Sequence, residues 1–151
     1  MFKRFSFLMF LLVLINFSYT SVFACEVSNE YFSFMMPKSA KGTYSVIKEE
    51  NGIYICEKIS EQRGQGGFAF AVNFYKTPDD YADMEDVRKI GELADKNGKL
   101  YDIVLRQPRE IYYGNGRKIA KNYRRLYDFA PNVEIKGING NKFTKVQNIS
   151  E

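Results

Sequence analysis

The stretch Gly64-Gln65-Gly66-Gly67-Phe68-Ala69-Phe70-Ala71-Val72-Asn73-Phe74-Tyr75 decides the fold. A glycine-rich approach runs into the most strictly alternating apolar segment of the chain. In a strand, side chains two apart share a face, so Phe68, Phe70, Val72 and Phe74 fall on one side. Ala69, Ala71, Asn73 and Tyr75 fall on the other. Four bulky groups with alanines behind them predict a central strand with a thick core on one side. The glycines before it do not make a phosphate cradle. Such a loop must open a helix, so that backbone N–H groups and the helix dipole meet the anion, and this one opens a strand. Gly64-x-Gly66-Gly67 therefore reads as a turn or bulge, and no nucleotide site is expected.

The neighbouring segments can be laid beside that strand. Tyr31-Phe32-Ser33-Phe34-Met35-Met36-Pro37 alternates with Phe32, Phe34 and Met36 on one face, and Pro37, which has no N–H for a ladder, ends it. Residues 42–49 and 52–58 flank Glu50-Asn51-Gly52, where Asn-Gly signals a hairpin because both residues tolerate positive φ. Residues 44–75 thus predict a three-strand antiparallel meander. Thr77-Pro78-Asp79-Asp80 has the form of a helix start, with a threonine cap, proline at the first position and acids facing the positive dipole end. Tyr81, Met84 and Val87 extend it as a thin apolar stripe that Gly91 stops. A second hairpin is expected across Asp95-Lys96-Asn97-Gly98. Tyr101, Ile103 and Leu105 share one face of its return strand, and Leu100, Asp102 and Val104 share the other.

From Gly116 the period changes. Ile119, Tyr123, Leu126, Tyr127 and Ala130 have the spacing of an amphipathic helix, which Pro131 ends. Residues 133–138 and 143–146, on either side of Asn139-Gly140-Asn141, predict a last short hairpin. The fold class expected is α+β: an antiparallel sheet of hairpins packed by one longer amphipathic helix and one short helix. Residues 25–151 make a single domain with 27–146 as its ordered part, and the long helix covers the Phe68/Phe70/Val72/Phe74 face.

Residues 1–24 read as a signal peptide. Lys3 and Arg4 form a positive start, residues 7–17 are apolar apart from Asn16, and Val22-Phe23-Ala24 is a small-residue cleavage site. The apolar run of about eleven residues is short of the roughly 20 that a spanning helix needs. Export is therefore the expected location, and Cys25 would be the first residue of the mature chain. Two readings of that cysteine stand. Val22-Phe23-Ala24-Cys25 resembles a bacterial lipobox, in which Cys25 carries a lipid anchor, although Phe23 and Val22 both depart from the usual residues. Alternatively, ordinary cleavage leaves Cys25 free to bridge Cys56 in an oxidising compartment, closing a loop of about thirty residues worth about 3 kcal/mol.

Without Lys3 and Arg4 the chain carries 20 basic and 18 acidic residues, so the pI of about 9.0 overstates the charge of the mature protein. The balance is uneven. Residues 25–98 hold 9 Lys/Arg against 13 Asp/Glu, and residues 99–151 hold 11 against 5. The excess points to a face that meets an anionic envelope polymer, a membrane surface or an acidic protein, and not to nucleic acid.

The segments Phe32-x-Phe34-x-x-Pro37, Gly66-Gly67-Phe68-x-Phe70 and Leu100-Tyr101-Asp102-x-Val104, with Pro108 following, carry a resemblance. They resemble a family of small, uncharacterised exported proteins of Gram-positive-type bacteria, and their element order is similar to the PsbP/Mog1-like α+β fold. The resemblance covers most of residues 31–130. It implies a fold and a location, and it brings no catalytic residue with it.

The chain has no histidine, which removes the commonest general base, the commonest zinc ligand and every Ser-His-Asp or Cys-His arrangement. Asp79, Asp80, Asp83, Glu85 and Asp86 lack the spacing of a calcium loop and read as a helix start and a solvated face. No tryptophan is present to supply the usual sugar-stacking platform. No metal or cofactor is expected. Two groups of residues carry the candidate sites. The first is Tyr101, Asp102, Arg106 and Arg109, with Tyr112 and Tyr113 nearby. There Asp102 either pairs with an arginine or serves a small histidine-independent hydrolase together with Tyr101 and Arg106. The second is the cationic side of the long helix, Arg117, Lys118, Lys121, Arg124 and Arg125, on which a non-catalytic binding domain would hold its partner.

Overall fold

The structure, a computed structural model, describes residues 25–111 and 115–146. The expected signal peptide, Tyr112 and Tyr113 lie outside the described residues. The strands are β1 (Cys25–Ser28), β2 (Phe32–Met36), β3 (Tyr44–Glu49), β4 (Gly52–Glu57), β5 (Phe68–Tyr75), β6 (Val87–Ala94), β7 (Leu100–Arg106), β8 (Ile135–Gly137) and β9 (Lys142–Lys145). Helices α1 (Lys58–Gln62) and α2 (Arg117–Phe129) complete the set, with 3₁₀ turns at Lys38–Ala40, Pro78–Tyr81 and Ala130–Asn132. Among the described residues the strands form two antiparallel sheets. One runs β3-β4-β5-β7-β6-β9 and the other β1-β2-β8. The fold is α+β in outline and mostly β.

Strand β5 lies inside the larger sheet, between β4 and β7, as its alternating phenylalanines predict. The inner face of that sheet presents Ile53, Ile55, Phe70, Val72, Leu93, Ile103 and Leu105. Against it lie Phe32, Phe34 and Met36 of β2 and Tyr123, Leu126 and Ala130 of the α2 region, all fully or nearly fully buried. The Phe70 ring lies 6.1 Å from Phe34 and 6.0 Å from Phe129, so it touches both covering layers. The Tyr123 hydroxyl donates to the Phe68 carbonyl at 3.1 Å, which fixes α2 along the strand. Burial of this apolar area, at about 25 cal/mol per Å², is the main source of stability.

Several local expectations are corrected. Phe68 is not on the inner face. Ile55 pairs with Phe70 but Cys56 pairs with Phe68, so β5 carries one extra residue at that point. The bulge leaves Ala69 in the core and turns Phe68 outward, 6.0 Å from the Tyr54 ring and beneath the Arg106 guanidinium at 5.5 Å. The first hairpin turns at Glu50-Asn51, and Gly52 is already paired with Glu49 and Asn73. Gly52 is there for room, not for positive φ. A Cβ at that position would lie 2.4 Å from the Val72 carbonyl oxygen and 2.6 Å from the Asn73 amide.

The helix expected from Thr77 to Gly91 is a single 3₁₀ turn, Pro78–Tyr81, in which Asp80 accepts from the Lys76 and Thr77 N–H groups. Its apolar stripe is too thin to bury a helix, and residues 87–94 gain more by pairing with β7 on one side and β9 on the other. Gly91 does not stop a helix. It lies mid-strand where the Phe143 ring crosses the backbone, and a Cβ would come 2.2 Å from that ring. The short helix is instead α1, which begins where the expected 52–58 strand ends and leads into the glycine-rich turn. The last two strands do not pair with each other. Asn139 (φ 55°) and Gly140 (φ 86°) turn the chain so that β8 joins β2 and β9 joins β6, which links the two sheets. The Cys25–Cys56 bridge is not formed and both thiols are free. Cys25 packs against the core, whereas Cys56 is buried on the outer face of β4, opposite Ser45.

The bulge gives two neighbouring phenylalanines unequal weight. Phe70→Ala is expected to cost about 3–5 kcal/mol in urea unfolding, as a fully buried ring does, and Phe68→Ala less than half as much. Equal losses would place both rings in the core and remove the bulge.

Candidate functional site

Strand β7 carries the first candidate group, and its alternation separates the members. Tyr101 faces inward, with its ring 5.7 Å from Phe74 and 6.3 Å from Tyr31. Asp102 faces outward and is only 8 % exposed. Register places Glu92 of β6 directly opposite Asp102, and two like charges so placed repel. Lys89 resolves the conflict. Its ammonium lies 2.6 Å from Asp102 Oδ1 and 2.7 Å from Glu92 Oε1. These two carboxylates hold the Lys89 ammonium above the usual lysine range. The second Asp102 oxygen accepts a hydrogen bond from the Tyr81 hydroxyl at 2.9 Å. Burial, reinforced by Asp102, raises the Tyr81 phenol above its ordinary value. Asp102 is thus paired, with a lysine on the next strand in place of the expected arginine.

The arginines have other partners. Arg106, exposed at the end of β7, stacks over Phe68. Arg109 Nε lies 2.6 Å from Asp86 Oδ1, and Asp86, at φ 63°, also accepts from the Gln107 N–H at 3.0 Å. Tyr101 faces the core, Asp102 and Arg106 share the outer face but engage different partners, and Arg109 pairs with Asp86, so the four do not converge on one reacting centre.

The second group lies on the solvent side of α2. Ile119, Asn122, Tyr123 and Leu126 are buried, and Arg117, Lys118, Lys121 and Arg124 are exposed. Arg124 Nε meets both Asp128 oxygens at 3.0 Å, one turn along the helix. The half-buried Arg125 donates to the Ser39 carbonyl. Arg117, Lys118 and Lys121 have no ion-pair partner among the described residues. The expected five-residue patch is thus three free cations flanked by two engaged ones.

One polar centre is absent from the sequence reading. Glu57 is fully buried. Its Oε2 caps α1 by accepting the Ser60 N–H at 2.8 Å, and its Oε1 accepts from Asn122 Nδ2 at 3.1 Å. The signal was available, since Ile53, Ile55 and Glu57 share one face by the period of two, which places the carboxylate inward. Its contacts tie α1 to α2. Among the described residues no cluster of three or more His, Cys, Asp or Glu is placed to hold a metal ion, and no helix is long and apolar enough to cross a membrane.

No protein-family model, curated protein or solved structure matches the chain.

A buried thiol and a half-buried phenol outside the candidate groups contribute to the alkaline behaviour. Burial, with the Glu61 charge adding to it, pushes the Cys56 thiol from 9.0 up to about 11. Burial, with Cys25 as hydrogen-bond neighbour, pushes the Tyr44 phenol from 10.0 up to about 12. In each case the folded chain keeps a proton that the unfolded chain has released. The stabilisation is complete below the ordinary values and is lost as pH rises through the folded ones. The urea midpoint is expected to fall between about pH 9 and pH 12, with Cys56→Ala flattening the lower part of the drop. A midpoint level across that range would contradict the burial of both groups.

Proposed function

We propose that the chain is an exported, non-catalytic binding domain that works at the cell envelope or outside it. It holds an anionic partner against the solvent side of α2. The observation that carries this reading is the set Arg117, Lys118 and Lys121, exposed along a helix whose opposite side is locked into the core. Surface cations without acidic partners raise the local concentration of anions and do so less as salt screens them. An anionic wall polymer fits best, because its repeated charges can engage all three residues at once. A phospholipid surface and an acidic protein are the other partners of the same sign. The hydrolase reading has less support. Both Asp102 oxygens are engaged by Lys89 and Tyr81, and Tyr101 faces the other way.

Export by ordinary cleavage, without lipid, is the form this reading favours. Cys25 packs partly buried against the core beside Tyr44, a place suited to a small thiol. A diacyl group on that sulfur would need to leave the core for a membrane. Intact mass spectrometry of the protein from its host is expected to give the mass of residues 25–151 with two free thiols. An added diacylglyceryl mass would make it a lipid-anchored protein.

The binding reading is tested by retention on purified envelope and on an immobilised anionic wall polymer. At low salt the wild type is expected to be retained several-fold more than a triple variant, Arg117→Glu, Lys118→Glu and Lys121→Glu. The difference should vanish near roughly 0.5 M salt, where the Debye length is only a few Å. Equal retention at low salt would remove the α2 surface as the binding face.

A further inference from the structure

Three aromatic side chains of the inner face finish at the surface instead of in the core. Where β5 ends and the hairpins β3–β4 and β6–β7 turn, Tyr31, Phe74 and Tyr101 gather. Tyr31 and Phe74 have ring centres 4.6 Å apart, and Phe74 meets Tyr101 edge-on at 5.7 Å. All three are partly exposed. Two clefts open beside them and share Tyr101 as a common wall. One, of about 400 Å³, is lined by Tyr31, Glu30, Asp95, Lys96 and Asn97 among others. The other, of about 560 Å³, is lined by Phe74, Tyr75, Asn51, Glu49, Glu50 and Asp80 among others. Both lie in the size range of small-molecule sites.

We propose that this end of the molecule binds a neutral oligosaccharide laid across Tyr101. The lining has two chemistries that a sugar needs. Aromatic ring faces accept the apolar C–H face of a pyranose, and carboxylates and amides exchange hydrogen bonds with its hydroxyls. At Tyr101 the sugar would displace the exposed Lys99 ammonium, which lies over that ring at 5.3 Å. The Tyr31 and Tyr101 hydroxyls have no hydrogen-bond partner among the described residues and face this demand as well. Charge selects against an anion. Glu30, Glu49, Glu50, Asp80 and Asp95 outnumber Lys76, Lys96 and Lys99 here, the reverse of the α2 side.

The walls are set before any ligand arrives. Asp95 Oδ1 accepts from the Asn97 and Lys99 N–H groups at 2.8 and 2.9 Å. Asn139 and Asn141 donate to the Glu30 and Tyr31 carbonyls at 2.9 and 3.1 Å, and Asn51 donates to the Tyr75 hydroxyl at 3.3 Å. A site whose loops are already tied loses less entropy on binding. The sequence has no tryptophan to announce such a platform. The fold assembles one from residues 31, 74 and 101, which are far apart along the chain.

The test is an NMR titration of the aromatic rings of the wild-type protein with cellohexaose and with chitohexaose. The Tyr31, Phe74 and Tyr101 resonances are expected to move saturably with at least one of them, and salt should leave the midpoint unchanged. Tyr101→Leu, which keeps apolar bulk without a ring face, is expected to weaken binding roughly fivefold to tenfold. The triple variant of α2 should bind the sugar as the wild type does, so failure of the anionic-partner reading and failure of this one are separable. Absence of saturable shifts with both sugars, or shifts confined to other residues, would overturn the proposal. So would unchanged affinity in a folded Tyr101→Leu protein. Should that variant fail to fold, the wild-type resonance map decides by itself.

Discussion

Phe70 has no exposed surface and lies between the ring of Phe34 from the small sheet and that of Phe129 from α2. Three elements that do not hydrogen-bond to one another through their backbones meet on that side chain. A sheet buries one face only if something covers it, and here the cover is split between a three-stranded sheet and a helix. Both parts must arrive at the same strand in register. The bulge at Ala69 belongs to this constraint. It lets β5 keep Phe70, Val72 and Phe74 facing inward while the glycine-rich approach swings away toward α1. The Phe68 carbonyl is thereby left where the Tyr123 hydroxyl reaches it.

A core covered in two pieces needs polar groups at the seam between them, and those groups must be paired. Glu57 does this at the junction of α1, α2 and β4. Both carboxyl oxygens accept hydrogen bonds, one from backbone and one from Asn122, so the buried group is satisfied by donors from both helices. On the opposite face of the sheet, Lys89 bridges two carboxylates that the β6–β7 register sets against each other. Each arrangement is accounted for by the fold itself. That is the physical reason for placing function elsewhere, on side chains such as Lys121 whose exposure the fold does not require.

Local patterns in the chain were legible where the physics is local. The alternation of β5, the meander of residues 44–75, the hairpin at Asp95–Gly98 and the helix from Gly116 to Pro131 all follow from periods of two or 3.6 residues. The misreadings share a different origin. Gly91 reads as a stop until Phe143, more than fifty residues later, is known to lie across it. Thr77-Pro78-Asp79-Asp80 is a sound helix start, but the next residues gain two strand partners that no window around them contains. Residues 133–146 have the pattern of a hairpin, yet β8 and β9 join different sheets, because each fills an edge left open by β2 or β6. In the candidate site, alternation alone put Asp102 on the face opposite Tyr101. Its lysine partner depended on the register of β6, which the segment read as a helix concealed.

The charge asymmetry along the chain acquires a spatial meaning. The acidic first half contributes Glu30, Glu49, Glu50, Asp80 and Asp95 to the two clefts around Tyr101, and the basic second half contributes Arg117, Lys118 and Lys121 to α2. The two surfaces share no residue. They are also held by one continuous core, so their separation is fixed, and binding at one restricts where the other can reach. Taking the two proposals together, a polymer with neutral sugar and anionic groups on the same strand is the ligand that both surfaces would recognise. Two contacts that are individually weak would then act at high effective concentration. On this argument the net charge of the chain, close to neutral without its first residues, conceals the feature that matters. A small domain with its charges sorted to separate surfaces can discriminate between parts of a mixed polymer in a way that a uniformly basic one cannot.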